Sequence, residues 1–441
     1  MCVSKSGPGY ASTSPVNMRE KKVLIITYYF PPMGMGGVQR ALKFAKYLPL
    51  FGWQPIILTV KDVNYFAKDY TLLEELPSDV KIIRSGSLDP LRLSYLLRRG
   101  KSFKSKSYTP RKSQAQVWLF FPDSKIGWVP FALNKGLKIC KEKKIDLLFS
   151  TSPPPSAHLI GYLLKKLTGK AWVVDFRDGW IGYSYQLLPT PLHRFAKEAM
   201  MNMIIRNCDG MVTVNQEIAG PIRKQFPRLK PLEVIPNGFD QSDFVMRNPK
   251  KNEKFTITYS GTFSLDNDPQ PFFEALSNLS NRGKIDPGKL KLAIAGLPLG
   301  IDLDKLILKY KLQEYVENLG YLPHSEAIQR LIESDLLLLT VSGSPESKFI
   351  TTGKLFEYLA AQKPILAIVP EESSAAQIVR STRSGTVISP HQIDQIEVAI
   401  FSYYDKYYKN EIYFRSDEKI ISQFERKDLT SRLADIFDEL I

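Results

Sequence analysis

The 441-residue sequence holds only three cysteines, Cys2, Cys140 and Cys208. They stand far apart and form no CxxC pair, which excludes a disulfide framework and a cysteine zinc site and fits a reducing compartment. Long apolar runs are missing as well. None reaches the roughly 18 residues of a membrane-spanning helix, and the first, Val23 to Phe30, has the length of a strand. The residues up to Glu20 are polar and lack the apolar core of a signal peptide. The glycine loop at Gly34 to Gly37 lacks the GK[ST] ending of a P-loop, and no Asp, His or Cys cluster has metal-ligand spacing. Tandem repeats are absent. These absences lead to the expectation of a cytoplasmic protein that does not span a membrane and needs no metal or other cofactor.

Hydrophobic residues make up 44 % of the chain and charged residues 24 %, the balance of a folded globular protein. The length exceeds one ordinary core, so two or three domains are expected. The net charge of +15 is concentrated in part. From Leu91 to Lys112 there are eight basic residues and no acid, and Trp118, Leu119, Phe120, Phe121 and Trp128 follow. Such a segment, residues 91–128, suits peripheral contact with an anionic membrane, where each cation contributes about 1 kcal/mol. A solvated loop before an ordinary strand is the plainer alternative. No nucleic-acid-binding motif accompanies the charge, and nucleic acid is not expected as a partner.

Along the chain, continuous apolar runs alternate with helical periodicity. KKVLIITYYF reads as a buried parallel strand, followed by the loop PPMGMGG and a helix whose Val38, Ala41, Leu42, Ala45 and Leu48 share one face. QPIILTV, IDLLFS, AWVVDF and GMVTV continue the series as strands. After a boundary near LEVIPNGFD the alternation resumes with FTITYSG, LKLAIAG, VENLGYL, DLLLLTV, PILAIV and GTVISP. Strands alternating with helices at this spacing form βαβ units. The pattern predicts two Rossmann-like, doubly wound α/β domains facing each other across a cleft. They are preceded by a polar extension over 1–20, span 21–238 and 239–412, and are followed by a C-terminal helix in 413–441. The tail from Ile393 onward is helical in pattern and expected to pack back on the first domain. Ligands of open α/β sheets bind at the strand carboxyl ends, which places the active site in the cleft.

Four places carry chemistry. Gly34, Gly36 and Gly37 lie between a strand and a helix, where backbone N–H groups can approach a phosphate or a sugar. Gln39 stands where a dinucleotide fingerprint needs its third glycine. Gly261 and Thr262 end the first strand of the second domain. In Thr351–Glu357 a helix opens at Thr352 and Gly353 with free N–H groups and a positive dipole end. Lys354 adds a charge suited to a diphosphate, and Glu357, three residues on, can accept hydrogen bonds from ribose hydroxyls. Thr151 to His158 and Asp175 to Asp178 follow two further strand ends. For each the plain alternative is structural: a tight turn, a surface Lys–Glu pair, a helix histidine, an ion pair between Arg177 and Asp178.

The segments LIITYYFPPMGMGGVQRALKFAKYL, TSPPPSAHLIGYLL, VVDFRDGW, YSGTF and GKLFEYLAAQKPILAIV resemble, in order and over nearly the whole chain, retaining glycosyltransferase family 4 of the GT-B architecture. The resemblance implies a nucleotide-sugar donor, a saccharide or lipid-linked acceptor, transfer with retention, and a place in surface polysaccharide or glycan synthesis. It implies donor binding by Gly36, Gly37, Gly261, Thr262 and Glu357, to which the helix opening adds Thr352, Gly353 and Lys354. Acceptor binding falls to Ser152, Asp175, Arg177 and Asp178, and catalytic roles to His158, Asp178 and Lys354. The sequence departs from the family pattern at Phe349, where a second glutamate is common, and in Ser264 to Pro269, where a basic pair is missing. A catalytically silent scaffold and a nucleotide-sugar epimerase are the competing readings.

Overall fold

The computed structural model describes residues 20–97, 120–178, 190–229, 231–244, 252–344, 351–411 and 414–441. Most of the basic segment, and Phe349, lie outside the described residues.

The first sheet has seven parallel strands: β1 (Lys21–Ile26), β2 (Trp53–Val60), β3 (Lys81–Ser85), β4 (Leu147–Ser152), β5 (Ala171–Phe176), β6 (Gly210–Thr213) and β7 (Leu232–Val234), in the order β3-β2-β1-β4-β5-β6-β7. The second has six: β8 (Phe255–Ser260), β9 (Leu290–Ala295), β10 (Val316–Gly320), β11 (Leu336–Thr340), β12 (Ile365–Ile368) and β13 (Gly385–Ile388), in the order β10-β9-β8-β11-β12-β13. Central strands β2, β4 and β8 are buried along their whole length, as both faces of a parallel sheet are covered by helices. The order reverses beside β1 in one sheet and beside β8 in the other, which opens a crevice at each switch point.

Two strands escape the sequence pattern. β3 is an edge strand, half-exposed and begun by a lysine, and β7 is three residues long. Neither carries the continuous apolar run of a buried strand, because neither is covered on both faces.

In the first domain the helices used below are α1 (Gln39–Tyr47), α2 (Pro90–Leu97), α3 (Val129–Lys143) and α4 (Ser156–Thr168). The second domain contributes α5 (His324–Ile332), α6 (Gly353–Ala360) and α7 (Ile393–Lys409), and the chain closes with α8 (Arg426–Asp438). The tail divides. α7 stays in the second domain, its Ile396, Ile400 and Tyr407 in that core. Only α8 crosses back. Its Leu429, Leu433 and Phe437 join the core of the first domain, with Phe437 edge-on to Trp53 and Phe149. Burial of three such side chains contributes roughly 1.5–3 kcal/mol each, so α8 is an integral part of the first domain. No helix among the described residues is long and apolar enough to cross a membrane.

Candidate active site

Between the domains lies a cavity of about 440 Å³, within the range of small-molecule sites. One wall is the loop before α1, with Met35, Gly36, Gly37 and Gln39; the other is Ser260 to Thr262 and the start of α6, Thr351 to Glu357. Arg177, Asp178, Asp69, Asn237, His324 and Arg426 complete it. The structure therefore brings together Gly36, Gly37, Gly261, Thr262, Thr352, Gly353, Lys354, Glu357, Arg177 and Asp178.

The strand end after β8 is shaped by its neighbours. Gly261 has φ 120°, a conformation that favours glycine, and a Cβ there would lie 2.9 Å from Lys354 Cε and displace that side chain. The Ser260 N–H donates to the Tyr358 hydroxyl at 2.9 Å, which pins α6 to the strand. Thr352 caps α6 without a side-chain hydrogen bond. Among the described residues only the Leu355 N–H of the first turn is taken, by the Thr352 carbonyl at 3.2 Å, which leaves the Gly353 and Lys354 N–H groups to a ligand. The Lys354 ammonium lies 4.2 Å above the Tyr259 ring and donates to its hydroxyl at 2.5 Å. Removal from water, partly offset by Glu357, pulls Lys354 down to about 7. In the unliganded site this ammonium is easily deprotonated, and a bound anion would restore its proton.

Glu357 is held from behind. His324 Nε2 meets Glu357 Oε1 at 3.1 Å, and the His324 backbone N–H donates to Asp69 of the first domain at 2.8 Å. Burial opposes charge on both partners, but their mutual hydrogen bond and attraction outweigh it, together with Asp243 near His324 and with Arg426 and Lys43 near Glu357. His324 therefore titrates above and Glu357 below its usual range. Glu357 is thus ionised and oriented as an acceptor of hydroxyl protons. A second network ties α1 to the start of the second domain. Lys43, buried, bonds Asp240 and Asp243 at 2.8 Å each and Glu75 at 2.5 Å. Glu75, Asp243 and His324 bring ligand atoms within 4.8 Å of one another, but the Lys43 ammonium already neutralises the two carboxylates.

The glycine loop is fixed by Arg177, which donates through Nε to the Ser152 carbonyl at 2.7 Å and through Nη1 to the Gly37 carbonyl at 2.8 Å. Met35 in this loop takes φ 70°, an unfavourable region for a side-chain-bearing residue. Gly34 packs under Tyr321 of the second domain, where a Cβ would meet the phenol oxygen at 2.0 Å.

Three expected site residues, Ser152, His158 and Asp175, are buried and stand behind the cavity wall rather than in it. Asp175 is buried and bonded by Arg40 through Nε at 2.9 Å and Nη2 at 2.9 Å, and by the Thr151 hydroxyl at 2.7 Å. That carboxylate is spent on α1, whose Arg40 also bonds the Ile235 and Pro236 carbonyls of the interdomain link. Ser152 is buried, its hydroxyl directed at the Asp175 carbonyl. His158 is fully buried on α4, hydrogen-bonded to Ser150 at 2.8 Å and 4.6 Å from the Phe176 ring. Burial lowers it to about 3, so it is neutral near pH 7. Sequence reasoning missed Asp69, Tyr321, His324 and Arg426. Only the strand VENLG before YLPH, placed in the second domain's alternation, hinted that a loop there reaches the cleft.

Two facing parallel-sheet domains with a glycine loop on one side and a cationic helix start on the other define a GT-B glycosyltransferase. The chain belongs to the family that joins the domain described as Glycosyltransferase Family 4, matched over residues 35–243, to that described as Glycosyl transferases group 1, matched over 240–416. Sucrose-phosphate synthase from Thermosynechococcus elongatus shares the fold with a TM-score of 0.66 at 13 % identity, over 95 % of this chain and 99 % of that one. HepE from Anabaena, solved in complex with UDP and glucose, has a TM-score of 0.64 at 16 % identity, over 95 % and 100 %. WaaG, a glycosyltransferase involved in lipopolysaccharide biosynthesis, has a TM-score of 0.59 at 14 % identity, over 94 % and 99 %. No curated protein matches in sequence.

Proposed function

We propose that this glycosyltransferase moves a sugar from a nucleotide-sugar donor to a saccharide or lipid-linked acceptor, with retention and without a metal. The observation that carries the donor reading is the convergence of Lys354, the α6 N-terminus and Glu357 on one cavity opposite Gly36 and Gly37. A diphosphate at the helix start would meet free N–H groups and an ammonium, while the ribose diol would meet an ionised carboxylate. As the bond to the anomeric carbon breaks, negative charge grows on the leaving phosphate, where Lys354 and these amides stabilise it. The departing phosphate oxygen takes the acceptor proton, so no protein base is required. The HepE complex with UDP and glucose supports a uridine diphosphate sugar as the first donor to try. Turnover measured against uridine, guanosine and adenosine diphosphate sugars tests the reading. One donor releasing its nucleoside diphosphate, with the product anomer matching the donor by NMR, is expected, and its persistence in a chelator tests metal independence.

The acceptor reading places the first domain against an anionic membrane. Leu88, Leu93, Leu96 and Leu97 on and beside α2, and Phe131 on α3, are exposed, Leu97 by 85 %. The sequence then continues into the basic run from Arg98 to Lys112, which pairs apolar anchors with cations. Flotation with phosphatidylglycerol vesicles is expected for the wild type and to be lost in a Leu96→Glu/Leu97→Glu variant. Equal flotation of both would end this part of the proposal.

A further inference from the structure

Four lysine or arginine side chains are buried among the described residues: Arg40, Lys43, Lys125 and Arg426. Arg40 pairs with Asp175, Lys43 with three carboxylates, and Lys125 with Asp89 at 3.8 Å. Arg426 differs. It is 7 % exposed and lines the cavity, yet its guanidinium makes no hydrogen bond or ion pair with any described residue. Glu357, Asp243 and Asp240 act on it through space, and Arg40 opposes them. A guanidinium remains charged at neutral pH, so it must hold its charge in a water-poor place without a fixed partner.

Its position in the chain makes this costlier. Arg426 is the first residue of α8, where the helix dipole disfavours a cation. Its backbone N–H donates to the Phe239 carbonyl at 2.8 Å, which holds it at the interdomain link. Gln39, also buried, lines the same cavity with a side-chain amide that bonds no described residue. Residues that violate local stability rules around one cavity are explained by what enters it. The anion shared by nucleoside diphosphate sugars is the diphosphate, and the loop Ser264 to Pro269 holds no lysine or arginine.

We infer that Arg426 is a second cation of the diphosphate site, reaching it from the interdomain link with Gln39 beside it, and so supplies charge that the loop after β8 lacks. This rests on the donor reading above.

The test uses the full chain and titrates uridine, guanosine and adenosine diphosphates, then the monophosphate and nucleoside of the best binder. Arg426→Gln is expected to weaken the diphosphate by about 10- to 100-fold, as for a lost hydrogen bond to a charged group. The nucleoside should change by less than about threefold and the monophosphate should fall between. Arg426→Lys should recover part of the loss, and covers the case in which the glutamine variant fails to fold. Equal losses for nucleoside and diphosphate would overturn the inference, since Arg426 would then shape the pocket only. So would an unchanged diphosphate affinity. A wild type that binds none of the three diphosphates would instead overturn the donor reading itself.

Discussion

Donor affinity should depend on pH through one side chain. Lys354 titrates near 7 in the empty site because burial removes its ammonium from water and Glu357 only partly compensates. If the diphosphate needs the ammonium, apparent affinity scales with its charged fraction. That fraction is about 0.76 at pH 6.5 and about 0.03 at pH 8.5 for a group of this pKa. Affinity for a nucleoside diphosphate should therefore fall about 25-fold across this window. Binding at pH 7.5 should also take up about 0.8 proton, seen in calorimetry as a heat that varies with the buffer's ionisation enthalpy. Glu357 titrates below the window and Tyr259 far above it. The ligand's phosphate and His324 titrate in both proteins and cancel when wild type is divided by Lys354→Met. That ratio should run from large at pH 6.5 toward one at pH 8.5, and the variant should lose roughly 10²–10³ in turnover, as for one lost donor to a developing anion. A ratio that stays flat with pH would refute the argument, and so would turnover that survives intact in the variant.

Glu357→Gln should weaken a nucleoside diphosphate by about 10-fold or more while barely affecting its 2′-deoxy analogue, so the variant's preference for the ribose form collapses in competition titrations. Arg40→Met strands the buried Asp175 carboxylate at a cost of about 3–5 kcal/mol, which should lower the first thermal transition by several degrees; a shift below about 1 °C would contradict the pairing. The His324–Glu357 pair contributes stability that is full below the histidine's unfolded pKa and fades as pH rises through its raised folded value. On the acid side it is lost as pH falls through the lowered pKa of Glu357. The melting difference between wild type and His324→Asn should accordingly peak between these limits and shrink by pH 9.

What the sequence alone determined was the scaffold and much of one wall of the cavity. Apolar runs such as Val23 to Ile26 and Leu336 to Leu339 can only be buried strands, and the helices between them force parallel pairing, so two doubly wound sheets follow from local patterns. Gly261, Gly353, Lys354 and Glu357 lie on two short contiguous stretches, and all four line one cavity. What the tertiary structure decided was which charges are available. Asp175 lies at a strand end, and His158 and Arg177 follow strand ends, as ligand-binding residues do, yet Asp175 is consumed by Arg40, 135 positions away. His158 is sealed behind Phe176, and Arg177 is committed to the Gly37 carbonyl. Arg426 enters the cleft only because α8 returns across the interdomain link. Period and composition report which face of an element is buried, while the partner of a polar side chain is set by chain crossings that no local pattern encodes.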